Sequence, residues 1–105
     1  MEQIGFIIRV EREKRKLLLQ EASALLEIDP AILSKIERDE RKATKEQLYI
    51  FAKIYKLDLE KLLVLWLGEK IYKNIENKDF PLEALKVAEE KVRYKKLRNK
   101  NGQKF

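Results

Sequence analysis

Two short apolar-patterned segments, separated by Asp29-Pro30, constrain the fold of this 105-residue chain more than any other feature. Asp is a favourable N-cap, and Pro is tolerated at the first helical position because its missing N–H would be unpaired there anyway. The dipeptide therefore predicts a helix from Pro30 to about Arg38, and the apolar spacing before it predicts a short helix over Leu19–Leu26. A helix of about two turns is poorly stable alone, so the position of the helix that begins at Pro30 must be fixed by tertiary packing.

Helical periodicity and capping signals predict four further helices, and no segment alternates as a strand would. A Thr44–Gln47 capping box opens one of them, and Asp58 caps the next. The six predicted helices span Gln3–Lys16, Leu19–Leu26, Pro30–Arg38, a segment following Thr44, Leu59–Ile75 and Leu82–Arg98. The sequence therefore predicts an all-α fold.

The residue types present argue against catalysis. The chain has no Cys and no His, which removes the common zinc sites and the Ser-His and Cys-His nucleophile pairs. No convergent pair of acids is apparent either, so we expect no enzyme activity, no metal and no cofactor. No apolar run approaches the ~18 residues of a membrane span, and Met1-Glu2-Gln3 does not resemble a signal peptide. We expect a soluble, cytoplasmic protein.

The positive charge is concentrated at the C-terminal end. Residues 91–105 hold seven basic residues and no acid, whereas residues 1–90 hold 17 basic and 18 acidic residues. The net charge of +6 therefore says little about the rest of the chain. The predicted organisation is a five-helix domain over 1–68, a helical extension over 69–98 and a flexible basic tail over 99–105.

The pattern between residues 17 and 44 is that of a helix-turn-helix. The inward positions are apolar or small, and they comprise Ala22, Ser23, Leu26, Ile28, Leu33 and Ile36. The outward positions of the second helix are then Pro30, Ala31, Ser34 and Lys35. In a helix-turn-helix this outward face enters the DNA major groove.

The segment Leu33–Arg41 resembles the I-S-x-I-E-x-G-x-R segment of the lambda repressor/Cro-like (XRE-type) helix-turn-helix regulators. The resemblance extends over about residues 4–63. It implies a five-helix lambda repressor-like DNA-binding domain, here with an additional C-terminal helix. Arg12 falls where the family has an Arg paired with the Glu of this segment, here Glu37, and the resemblance implies a structural ion pair.

The same resemblance implies which residues contact DNA. The base-contacting positions map to Pro30, Ala31, Ser34 and Lys35. The backbone-contacting positions are Gln20, Arg38, Arg41 and Lys42. Because Lys35 suits guanine and the small apolar residues suit a thymine methyl, we expect thymine contacts and DNA shape to dominate recognition. Whether Ile32 faces the groove or the core stays open at this stage.

Three positions depart from the family pattern. Leu19 stands where the family has a phosphate-contacting Gln, and Gln20 follows it. Glu27 and Asp39 stand where the family has Gly. Asp tolerates the left-handed conformation better than most residues, so Asp39 is compatible with the turn.

Six consecutive apolar residues, Leu62 to Leu67, exceed what one helix face can bury, because successive residues point about 100° apart. We expect the second face to meet the last helix and a second chain, although a wholly intramolecular core is the alternative. The predicted dimer interface consists of Leu63, Trp66, Leu67, Ile71, Leu85 and Val92.

These features predict a sequence-specific, double-stranded DNA-binding transcription regulator that acts as a homodimer. Residues 35–44 and 82–92 resemble the small regulators encoded beside restriction–modification enzymes, which implies control of such an operon. The alternative is an antitoxin or adaptor that binds DNA through the helix-turn-helix and a protein through its C-terminal helices. For the basic tail we favour a solubilising role over contacts with flanking DNA or another partner.

Overall fold

The structure, a computed structural model, describes the backbone of residues 3–100 and the side chains of residues 3–98. Within this range it contains six helices and no strand, so the predicted all-α class is confirmed. The helices are α1 (Ile4–Lys14), α2 (Leu19–Leu26), α3 (Pro30–Glu37), α4 (Lys45–Tyr55), α5 (Leu59–Ile75) and α6 (Pro81–Lys100).

Three of the helices begin where their capping residues predict. The Asp29 carboxylate accepts hydrogen bonds from the N–H groups of Ala31 and Ile32, at 2.8 and 3.2 Å. Thr44 and Gln47 form a reciprocal capping box with bonds of 3.1 and 2.9 Å. Asp58 accepts from the N–H of Lys61 at 3.2 Å. Each cap satisfies backbone donors that a helix N-terminus leaves unpaired.

The helix ends differ from prediction by one or two residues. The first helix is shorter than predicted because Lys16 adopts a left-handed φ of 56°, which reverses the chain after Lys14. The third ends at Glu37, and the last begins at Pro81 and continues to Lys100. The first two residues of the predicted flexible tail are therefore helical, and residues 101–105 lie outside the described range.

The hydrophobic core draws on the first five helices. Its largest fully buried side chains are Ile8, Leu26, Leu33, Ile36, Leu48, Phe51 and Tyr55. Leu62 of α5 is also buried. The short helices α2 and α3 contribute only one and two of these fully buried side chains. Neither has a core of its own, so the position of each depends on its neighbours.

The chain divides into two compact units, Met1–Lys70 and Ile71–Phe105. The first contains α1 to α4 and most of α5. In the second, every residue of α6 from Leu82 to Arg98 is exposed. Among the described residues, no helix is both long enough and apolar enough to cross a membrane.

Candidate nucleic-acid interface

The turn between α2 and α3 is held by its own backbone and by one buried hydroxyl. Glu27 takes the left-handed conformation with φ 57°, at a position where the family has Gly. The N–H of Ile28 donates to the carbonyl of Ser23 at 3.1 Å, and the Ser23 hydroxyl donates back to the carbonyl of Ile28. Ser23 therefore closes the turn between α2 and α3.

The helix α3 presents one face to the core and another to solvent. Leu33, Ile36 and Glu37 are buried. Pro30, Ala31 and Lys35 are exposed, and Ser34 is partly buried. Ile32 is also partly buried and packs against the core. Ile32, whose orientation the sequence left open, therefore faces the core. The exposed face of α3 is correspondingly narrow.

Arg12 of α1 and Glu37 of α3 form a two-pronged ion pair. Nε and Nη2 of Arg12 donate to the two carboxylate oxygens of Glu37 at 2.9 and 3.1 Å. Nη1 donates to the carbonyl of Leu17 at 2.9 Å. The Glu37 side chain is only 4% exposed, and its hydrogen bond with Arg12 raises the pKa of that guanidinium. The pair therefore fixes the C-terminal end of α3 against α1.

Gly5 is a structural residue that the sequence analysis did not identify. A Cβ at this position would meet the carbonyl oxygens of Ile36 and Glu37 and the carboxylate of Asp39, all within 3 Å. The first turn of α1 therefore approaches the backbone at the end of α3 directly. A glycine inside a predicted helix is a signal of close approach, although Gly68 in α5 has no neighbour within 4 Å of such a Cβ.

The segment after α3 turns back through Asp39, whose φ is 60°. The N–H of Asp39 donates to the carbonyl of Ile36, and the N–H of Glu40 donates to that of Lys35, at 3.1 and 2.8 Å. These bonds satisfy carbonyls at the helix end, as left-handed C-terminal motifs do. Asp39 thus takes the conformation that the family pattern assigns to Gly.

Arg38 and Arg41, two of the predicted backbone contacts, are exposed on this segment. Arg38 forms an ion pair with Glu40 at 3.1 Å, in which both side chains are 55% exposed. Such an exposed pair contributes little to stability and separates easily. The guanidinium of Arg38 is therefore available to another anion.

Lys42, a third predicted backbone contact, interacts with α5. Its ammonium donates to the carbonyl of Trp66 at 3.3 Å, lies 5.7 Å from the centre of the indole ring and 4.0 Å from a carboxylate oxygen of Glu69. The indole N–H donates to the carbonyl of Ala43 at 2.7 Å. Glu69 in turn accepts from the N–H of Ile4 at 3.1 Å. The cluster joins the loop after α3 to α5 and to the start of α1.

Gln20 is exposed in the first turn of α2. The neighbouring carboxylate of Glu21 accepts from the N–H of Leu18 at 2.7 Å. Helix N-termini favour anions, but a carboxylate already occupies part of this one. Leu18 beside it is 69% exposed, so an apolar side chain also lies at this end of the helix.

The six predicted dimer-interface residues fall into two groups. Leu63 and Trp66 are partly buried and pack against the core of their own chain. Exposed apolar side chains form the other group, which comprises Leu67, Ile71, Leu85 and Val92. The predicted interface residues that remain exposed are therefore on the second half of α5 and on α6.

A second cluster missed by the sequence analysis holds the end of α1 against α4. Arg15 donates to the carbonyl of Tyr55 at 2.7 Å, and its guanidinium lies 4.7 Å from the centre of the Tyr55 ring. It also donates to the Glu11 carboxylate at 2.7 Å, and this hydrogen bond lowers the pKa of Glu11. Burial raises the pKa of the Tyr55 phenol.

The two crossed helices, the buried ion pair behind them and the exposed face of α3 together define a helix-turn-helix DNA-binding protein. The family model described as helix-turn-helix matches residues 8–62, just over half of the chain. The chain therefore belongs to this family of XRE-type, lambda repressor-like DNA-binding transcription regulators, as the Leu33–Arg41 segment predicted. No curated protein and no solved structure matched the chain.

Proposed function

We propose that the protein binds a specific double-stranded DNA sequence as a homodimer and thereby controls transcription. The observation that carries this proposal is the division of α3 into a buried face and an exposed face. Its start is capped by Asp29, and its end is fixed by the Arg12–Glu37 pair. A recognition helix needs this rigidity, because bases are read only when side chains are held at defined positions.

The exposed face of α3 offers one cation and two small apolar residues for base recognition. Lys35 suits the O6 and N7 atoms of guanine, and Pro30 and Ala31 suit a thymine methyl group. Ser34 is partly buried but carries a hydroxyl at the same surface. With so few hydrogen-bonding groups, specificity depends on thymine contacts and on DNA shape.

Backbone contacts are proposed for Arg38, Arg41 and Gln20, which are exposed beside α3. Lys42 is also proposed as a backbone contact. Its ammonium would leave its position over the Trp66 ring and bind a phosphate. Contacts of this kind set the register of the protein on the duplex without carrying sequence information themselves. Their loss should weaken binding on all sequences alike.

The small size of the recognition element supports the proposed homodimer. A helix of two turns contacts only a few base pairs, whereas two copies related by a two-fold axis read half-sites about one helical turn, roughly 34 Å, apart. The exposed apolar side chains on α5 and α6 supply a surface for this association. Sedimentation should then show a monomer for Leu67→Glu. It should still show a dimer for the control Leu25→Glu, which changes a similarly exposed leucine. A wild-type protein that is monomeric at high concentration would exclude the dimer.

Selection of bound duplexes from a random pool tests DNA recognition directly. The expected result is a palindrome whose half-sites lie about one helical turn apart. Lys35→Ala should weaken the base preference at one position of each half-site in the selected duplexes. Failure to enrich any sequence from the pool would contradict sequence-specific binding.

We further propose that the regulated genes encode a restriction–modification system, on the strength of the resemblance at residues 35–44 and 82–92. The exposed apolar residues of α6 equally support the alternative of an antitoxin or adaptor that holds a protein partner. The neighbouring genes discriminate between the two. A methyltransferase or endonuclease gene supports the first proposal, and a toxin gene supports the second.

A further inference from the structure

The C-terminal half of α6 is a continuous, exposed and strongly basic helix. Between Lys91 and Arg98 it carries five basic residues and no acid, and all of its residues are exposed. At 1.5 Å per residue this segment is about 10 Å long. The charge is therefore held on a helix, as the sequence predicted for Leu82–Arg98.

Three of these basic residues share one side of the helix. Lys91, Lys95 and Arg98 are separated by four and three residues, which places them on one face. None of the three lies within ion-pair distance of a carboxylate among the described side chains. Arg93, on another side, differs because it binds Glu89 at 2.7 Å. The stripe formed by Lys91, Lys95 and Arg98 therefore presents three uncompensated cations.

Helix stability does not explain the whole stripe. Cations favour the last turn of a helix through its dipole, but the effect fades within that turn. Lys91 lies more than two turns before the end of α6 at Lys100. The stripe also lies about 100° around the helix from Leu85 and Val92, so it does not compete with the apolar surface proposed for dimer formation.

We propose that the Lys91/Lys95/Arg98 stripe binds backbone phosphates of duplex DNA that flanks the sequence read by α3. This inference rests on the proposed function. Duplex DNA carries one negative charge per about 1.7 Å of its axis, which matches a row of closely spaced cations. Residues 1–90 have a net charge of −1, so the stripe supplies attraction that those residues as a whole lack.

A duplex fits the stripe better than a single strand does. Binding of single strands relies on bases stacking against free aromatic rings. Tyr94 is the one aromatic residue of α6, and the Arg98 guanidinium lies 5.8 Å from the centre of its ring. The surface therefore has cations for phosphates, but its one aromatic ring already contacts Arg98 and is not free to stack against a base.

The test compares the triple variant Lys91→Gln/Lys95→Gln/Arg98→Gln with the matched control Lys53→Gln/Lys56→Gln/Lys61→Gln, both in the full chain. Both variants lose three charges from exposed residues, and Gln preserves helix propensity. Circular dichroism checks that helix content is unchanged. Binding is measured against salt concentration, on the selected palindrome with and without about 10 flanking base pairs on each side, and on duplex of unrelated sequence.

On the flanked duplex, the stripe variant should flatten the slope of log K against log salt by about two to three units per protomer, or about five for the homodimer, because each phosphate contact contributes about 0.9. The control variant should leave that slope near the wild-type value. Equal slopes for the two variants would overturn the inference, as would an equal flattening by the stripe variant on the palindrome without flanking base pairs. If no palindrome is selected, the proposed function fails, while the slopes on unrelated duplex still decide the role of the stripe.

Discussion

Arg12 and Glu37 lie 25 residues apart in the chain and join through two parallel hydrogen bonds of 2.9 and 3.1 Å. Arg12 belongs to α1, whereas Glu37 is the last residue of α3. Both side chains are largely removed from water. The pair therefore links the recognition helix to the first helix of the domain through a contact that does not itself face the proposed DNA surface.

Loss of one partner of this pair should destabilise the protein strongly. Arg12→Ala leaves the Glu37 carboxylate buried without its cation, which typically costs about 3–5 kcal/mol. The control Arg9→Ala breaks the exposed pair with Glu13, where a change below about 1 kcal/mol is expected. Urea unfolding measures both. If the two variants unfold at the same urea concentration, the pair does not hold α3 in place.

The two helical glycines should respond oppositely to the same substitution. Gly5→Ala places a methyl group against backbone oxygens at the end of α3, and overpacking of this kind costs about 1–3 kcal/mol. Gly68→Ala meets no neighbour and should stabilise α5 by up to about 1 kcal/mol, because Ala favours helix over Gly. Thermal unfolding of both variants tests this. A stabilising effect at Gly5 would contradict the close approach of α1 to α3.

Lys35 should contribute to sequence discrimination. If it binds a base, Lys35→Ala weakens binding to the selected palindrome by about 1–3 kcal/mol and relaxes the preference at one position of each half-site. Lys53→Ala, which removes an exposed lysine of α4, serves as the control. Titration of matched and base-substituted duplexes provides the measurement. A uniform loss on every sequence would make Lys35 a phosphate contact instead.

Protonation of Glu11 should contribute to unfolding in acid. The hydrogen bond from Arg15 lowers the pKa of Glu11 in the folded protein below its ordinary value of 4.5. The unfolded chain therefore binds the proton more readily, so the stabilisation is complete above that pH and declines as the pH falls further. Glu11→Gln should be less stable than wild type at pH 7 and lose less stability on acidification.

Urea unfolding at several pH values between 3 and 7 measures this difference. Glu60→Gln, a change at an exposed acid of α5, is the matched control. Parallel profiles for Glu11→Gln and wild type would show that the Arg15 contact has no energetic weight in solution.

Local interactions made much of the fold predictable from the sequence. The caps at Asp29, Thr44 and Asp58 each act over two or three residues, so their residue types alone indicate where helices begin. The inward pattern of α2 and α3 follows from helical spacing in the same way. The family pattern in Leu33–Arg41 also led to the lambda repressor-like class that the family match confirms.

Contacts between distant segments required the tertiary structure. Gly5 and Gly68 look alike in the sequence, and only the packing of α1 against α3 makes the first one indispensable. Likewise, Lys42 looks like a free cation of a DNA-facing loop, whereas Trp66 and Glu69, 24 and 27 residues away, engage its ammonium.

The sequence by itself determined the helix starts, the buried face of each short helix and the class of protein, because these depend on neighbours within one or two turns. The tertiary structure decided that Ile32 faces the core, that Trp66 packs within its own chain, and that the side chains of the basic segment of α6 are exposed. Each of those outcomes depends on whether a segment that is distant in the sequence lies in contact with the side chain in the folded protein. Spacing along the sequence carries no information about that distance.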